Sequence, residues 1–189
     1  MLAGHFGLAA AVKAKVPEVP LWALMLSTQL IDVIFVPLYV SDIETVVKTG
    51  VGYGNQVIHA EYSHSLLSVL ILAVLTGLLA RKFWGKRGGF TVGAVVFSHW
   101  LLDLLVHRPD LPILPGNLGN LPLLGLGLWR SSTFSMTAEL LLIAAGSFMY
   151  LRYAVSGTSG STRLLARRSG VILAVLMLLC LASDVLNIG

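Results

Sequence analysis

Residues 90–107 read FTVGAVVFSHWLLDLLVH, and this stretch decides the fold. It is apolar almost throughout, and with its flanks it approaches the roughly 20 residues a helix needs to cross the hydrocarbon core of a bilayer. Four more apolar runs flank it: Leu21–Val40, Leu66–Ala80, Thr133–Leu151 and Val171–Leu186. Over the whole chain 56% of residues are hydrophobic and only 12% charged, with a mean hydropathy of +0.85. A soluble domain carries about 25% charged residues and cannot hide this much apolar surface. The reading is an all-α integral membrane protein with five transmembrane helices and a short N-terminal partial-span helix. One membrane domain covers 1–189, with helices near 2–15, 20–40, 63–81, 89–107, 132–152 and 169–187. The runs at 66–80 and 171–186 are short and must extend into their flanks or sit where the bilayer thins.

Charge sorts by linker. Ten of the thirteen basic residues fall on one side: Lys13 and Lys15, then Arg81, Lys82, Lys86 and Arg87, then Arg152, Arg163, Arg167 and Arg168. The positive-inside rule makes that side cytoplasmic. The linkers 41–64 and 107–132, and the C-terminus at Gly189, then lie outside, as expected for a bacterial-type inner membrane. Pro109, Pro112, Pro115, Gly116, Gly119 and Pro122 mark the second of these linkers as a non-helical cap. No basic run is interleaved with exposed aromatics, which excludes a nucleic-acid partner. Cys180 is the single cysteine, so a disulfide framework and a thiolate metal site are excluded as well. Residues 1–15 are apolar and helix-prone but span only about 20 Å. They form either a partial-span helix or an amphipathic helix on the inner surface.

Ionisable groups inside membrane segments are costly and mark functional sites. Asp32 falls in the first full crossing, His99 and Asp103 in the third, Glu139 in the fourth and Asp184 in the fifth, while His64 opens the second. Rise per residue places all of them, with His5 if its helix enters the bilayer, in the middle-to-outer part of the membrane. His99 and Asp103 are four apart and share a helix face, and His107 continues the stripe one turn on. His-x3-Asp on a helix offers a nitrogen and an oxygen to one metal ion, and His59 and His64 add two imidazoles at a helix entrance. Without thiolates the donors suit a divalent ion, zinc first, with manganese or iron as alternatives. Each residue also has a structural alternative. His107, Arg108 and Asp110 can form a loop network, and Asp184 with Asn187 a C-terminal cap. His59 and Glu61 can be solvated. Asp32 and Glu139 can be satisfied by Gln29, Ser or Thr.

Gly4-His5, Asp32, His59-x4-His64-Ser65-Leu66-Leu67 and Ser98-His99-x3-Asp103, in that order, resemble the membrane-bound metal-dependent hydrolase family, also called the LexA-binding inner-membrane putative hydrolases. The likeness covers roughly residues 1–115. The family's usual Pro-Asp-x-Asp is Leu30-Ile31-Asp32-Val33 here, and its His-Arg-x-x-Thr-His-Ser is His59-Ala60-Glu61-Tyr62-Ser63-His64-Ser65. The resemblance implies a metal-dependent hydrolase acting at the outer half of the membrane on an amphiphilic phospho- or acyl-ester. His5, Asp32, His59, His64, His99 and Asp103 are then the metal ligands, and Glu139 and Asp32 the catalytic carboxylates. Membrane lipid is the expected partner, with a lipid-like or small-molecule substrate. The rival expectation is a small permease for a metal ion, a proton or a small solute, since buried acids and histidines also suit a proton relay.

Overall fold

A computed structural model describes residues 1–50 and 52–186. The chain runs α1 (Leu2–Lys15), α2 (Leu21–Val40), β1 (Thr45–Lys48), β2 (Gln56–His59), α3 (Leu66–Val106), α4 (Ser132–Val155) and α5 (Gly160–Leu186). Four of the helices, α2 to α5, are long and apolar enough to cross a membrane. Their outward faces carry Val36, Val74, Leu79, Leu141 and Leu179 in the open. Apolar surface on that scale needs lipid rather than water against it.

The helix breaks follow from local chemistry. Pro17 and Pro20 end α1 and start α2, with Pro20 at the N-cap of α2. Lys13 closes the turn between them by donating to the Pro17 and Val19 carbonyls at 2.6 and 3.0 Å. Ser65 caps α3 by accepting from the Ser68 amide. The 41 residues of α3 are interrupted at Trp84 and Gly85, the latter at φ 67° and ψ −173°, a backbone open only to glycine. There the helix doubles back. A Cβ on Gly89 would lie 2.6 Å from the Gly77 carbonyl oxygen, and one on Gly93 2.8 Å from that of Ala73. The two halves therefore touch backbone to backbone, an approach that small residues permit between membrane helices.

α1 packs chiefly on α4, and also on α2 and α5. A Cβ on Gly7 would strike the Leu142 carbonyl, and one on Gly146 the backbone of Gly7. Ala3, Gly4, His5, Gly7, Ala9 and Ala10 are all buried. Residues 2–15 thus form a helix packed into the bundle, with the buried contacts that a helix lying free on the inner surface would lack.

Two departures stand out. The all-α expectation misses an antiparallel hairpin in the linker 41–64, with Thr45 opposite His59 and Lys48 opposite Gln56. Its strands read TVVK and QVIH, β-branched residues on either side of a glycine-bearing turn. In addition α5 begins at Gly160 rather than near 169, so Arg163, Arg167 and Arg168 lie on its first turns. Residues 107–131 hold only single turns at Pro115–Asn117 and Leu128–Arg130 and one bridge between Leu111 and Leu124, as the prolines and glycines predict. Asn187 and Gly189, the expected cap and outer terminus, lie outside the described residues.

A candidate metal centre

Asp103 is the hub. It projects from the second half of α3 and is buried, with its two oxygens facing different imidazoles. Oδ1 lies 3.2 Å from His5 Nε2. Oδ2 lies 2.9 Å from His99 Nε2, 3.7 Å from His64 Nε2 and 3.9 Å from His107 Nε2. Asp32, on α2, brings Oδ1 to 3.4 Å from His64 Nε2 and 3.6 Å from His99 Nε2. The His5 and His99 rings stack at 4.0 Å. Residues 98 positions apart thus meet through helix packing. α1 inserts His5, α2 brings Asp32, the turn before α3 brings His64, and α3 brings His99 and Asp103.

Three of the rings are held by their other nitrogen. His99 Nδ1 lies 2.5 Å from the Thr28 carbonyl oxygen. His64 Nδ1 meets the Ser63 hydroxyl at 2.8 Å. That hydroxyl donates to Glu44 Oε2 at 2.7 Å, while Glu44 Oε1 accepts from the Tyr62 and Ser63 amides. His107 Nδ1 pairs with Asp110 Oδ1 at 2.9 Å, and Asp110 Oδ2 accepts from the Ile58 amide. In these three rings, anchoring Nδ1 leaves Nε2 facing the carboxylates. Metal-binding histidines are oriented by such partners.

The donors fit a divalent ion. Ligands about 2.1 Å from a tetrahedral zinc lie roughly 3.4 Å from one another, and the contacts above run from 2.9 to 3.9 Å. His99 Nε2 comes within 2.9 Å of Asp103 Oδ2 and is nevertheless without a hydrogen-bond partner among the described residues, as is His5 Nδ1. Two donors side by side and out of line with each other suit two edges of one coordination shell better than a hydrogen bond. Two groups of three hold atoms close enough for one ion: His5, His99 and Asp103, and Asp32, His64 and His99.

The centre opens onto a cavity of about 360 Å³. Asp32, His64, Asp103 and His107 form one wall, and Tyr53, Trp129 and Asp184 stand among the others. Asp32 is the most accessible of the cluster, its side chain 40% exposed. Behind Tyr53 stands Glu139, fully buried, accepting the phenol proton at 2.8 Å. Burial and the nearby Glu139 carboxylate push the Tyr53 phenol above its ordinary pKa.

Of the sequence-expected ligands, His5, Asp32, His64, His99 and Asp103 converge. His59 does not join them: it is exposed at the end of β2, opposite Thr45, outside both groups and outside the cavity wall. β2 ends at His59, and His64 sits in the turn that follows. Glu139 stands with Tyr53 rather than with the imidazoles. Gln29 satisfies neither carboxylate, since both of its polar side-chain atoms lack partners among the described residues. Asp110 is the loop partner of His107 that the sequence suggests, whereas the sequence does not single out Glu44, Ser63 or Tyr53. Glu44 lies 19 residues before Ser63 in an unpatterned linker and carries no sequence signal. No family model, curated protein or solved structure matches the chain.

Proposed function

We propose that the chain is a metal-dependent hydrolase of an amphiphilic ester, working in the outer half of a bacterial inner membrane. The observation that carries this reading is the convergence of His5, His64, His99 and Asp103 on one buried point beside an open cavity, with His99 Nε2 left without a hydrogen bond among the described residues. On this reading α3 crosses twice, α2, α4 and α5 cross once each, and the basic turns face the cytoplasm. The cluster and the cavity then lie near the outer face, beneath the hairpin and the loop 107–131.

His5, His64, His99, Asp103 and Asp32 would hold the ion, zinc fitting the nitrogen and oxygen donors best. Such an ion, when bound, lowers the pKa of a coordinated water and polarises the ester oxygen. The remaining work falls to the chain's own groups. Asp32, half open to the cavity, orients the attacking water and accepts its proton at Oδ. Glu139 and Tyr53 form the opposite pole, where the phenol positions the leaving group. Trp129 and Phe35 give the cavity an apolar wall against which an acyl chain can lie. The motif resemblance to membrane-bound metal-dependent hydrolases supports the same chemistry.

The test is hydrolysis by the full chain in nanodiscs, stripped with chelator and reloaded with Zn²⁺ or Mn²⁺. Fluorogenic long-chain acyl and phosphodiester substrates should be cleaved only by the reloaded protein and not by His99→Ala. A protein that binds metal and cleaves neither, while carrying ions or protons across liposomes, would establish the permease instead.

A further inference from the structure

The centre holds more donors than one ion can use. His5, His64, His99 and His107 each bring Nε2 to within 2.9 to 3.9 Å of Asp103, and His64 and His99 also approach Asp32, whereas a structural or catalytic zinc takes three or four protein ligands. The two groups of three overlap at His99 alone, and His99 has a single nitrogen to give because Nδ1 is engaged by the Thr28 carbonyl. One ring nitrogen cannot complete both shells.

Asp103 resolves the conflict. Oδ1 faces His5, whereas Oδ2 faces His64 and His107 as well as His99. The cavity divides the set in the same way. Asp32, His64, Asp103 and His107 line it, while His5 and His99 lie behind. His107 is buried, its Nδ1 tied to Asp110 and its ring packed 4.4 Å from that of Trp129. It is thus oriented in the manner of a ligand, although neither group of three includes it.

We propose a two-ion centre bridged by Asp103. An inner site is formed by His5, His99 and Asp103, and an outer site, facing the cavity, by Asp32, His64, His107 and Asp103. This rests on the metal-dependent reading above and extends it to a substrate class. Two divalent cations against two carboxylates leave a cationic wall, which selects an anionic phosphoester over a neutral acyl ester. Paired ions a few ångströms apart clamp the attacking and leaving oxygens of a phosphoryl centre.

Native mass spectrometry of the detergent-purified full chain during Zn²⁺ titration tests the count. Two ions per chain are expected, falling to one in His107→Ala and in His5→Ala. Asp110→Asn, which leaves every proposed ligand in place, should weaken only the second ion, by about 10-fold to 100-fold. With Mn²⁺, electron paramagnetic resonance should give an exchange-coupled spectrum in the wild type and an isolated-ion spectrum in His107→Ala. A single ion in the wild type overturns the two-ion centre and leaves the hydrolase reading intact. So do two ions that persist in His107→Ala and Asp110→Asn. No bound ion at all overturns both.

Discussion

The two halves of α3 are both rich in apolar residues, yet they bury themselves very differently. Residues 66–83 turn Leu67, Leu70, Ile71, Val74, Leu75, Leu78 and Leu79 outward and bury little but Val69, Ala73 and Ala80. Residues 86–106 bury Val92, Val95, Val96, His99, Trp100, Asp103 and Val106 along one face. The first half is a lipid-facing strut. The second lines the cavity and carries the candidate site, and what distinguishes it is a pair of ionisable residues at a spacing of four. Hydropathy therefore locates helices, and only the polar exceptions to it locate the site. The glycines between the halves hold the strut against the wall.

The contrast can be broken most severely at Asp103. Asp103→Ala should abolish metal retention, since every imidazole of the cluster contacts this carboxylate; inductively coupled plasma mass spectrometry of the purified protein reads the loss. His99→Ala should do the same, and a truncation on the strut, Val74→Ala, should leave metal content unchanged.

The hairpin contact comes next. Gly89→Val places side-chain atoms where the Gly77 carbonyl already lies. Overpacking of this kind costs about 1–3 kcal/mol. The variant should unfold several degrees lower in detergent, whereas Val74→Ala, facing outward, should stay within about 0.5 kcal/mol of the wild type. Equal losses in the two would mean that the halves of α3 do not rely on close approach.

A subtler separation tests orientation rather than ligation. Glu44→Gln keeps an acceptor for the Tyr62 and Ser63 amides but weakens the relay through the Ser63 hydroxyl to His64. Metal affinity should fall about 10-fold to 100-fold, measured by competition with a chromophoric chelator, with the thermal midpoint little changed. The smallest effect belongs to His59→Ala, which should alter neither metal content nor stability, because that ring is exposed on β2.

Much of this was legible in the sequence. The apolar runs marked the long helices, and five of the six residues expected as ligands come together. Residues whose place depends on tertiary packing were harder to foresee. Glu44 is buried because the hairpin folds it against the turn before α3, and nothing in the linker's composition signals that fold. His107 was on the right helical face, but its neighbours Arg108 and Asp110 equally suited a solvated loop. His59 misled because proximity in sequence to His64 was read as proximity in space, whereas His59 ends a strand and His64 sits in the turn beyond it. α1 was ambiguous because its glycines and alanines are apolar enough for either a surface or a buried position. The close Gly7–Gly146 crossing that buries it involves a helix 139 residues away.

The central claim is that imidazole and carboxylate groups from three helices and a turn share a metal ion. Zinc-edge X-ray absorption of the protein loaded with substoichiometric Zn²⁺ tests it most directly. The account predicts nitrogen and oxygen neighbours at about 2.0–2.1 Å with the outer-shell scattering of at least two imidazoles, lost in Asp103→Ala. A shell of water oxygens without imidazole scattering, unchanged by that substitution, would contradict it.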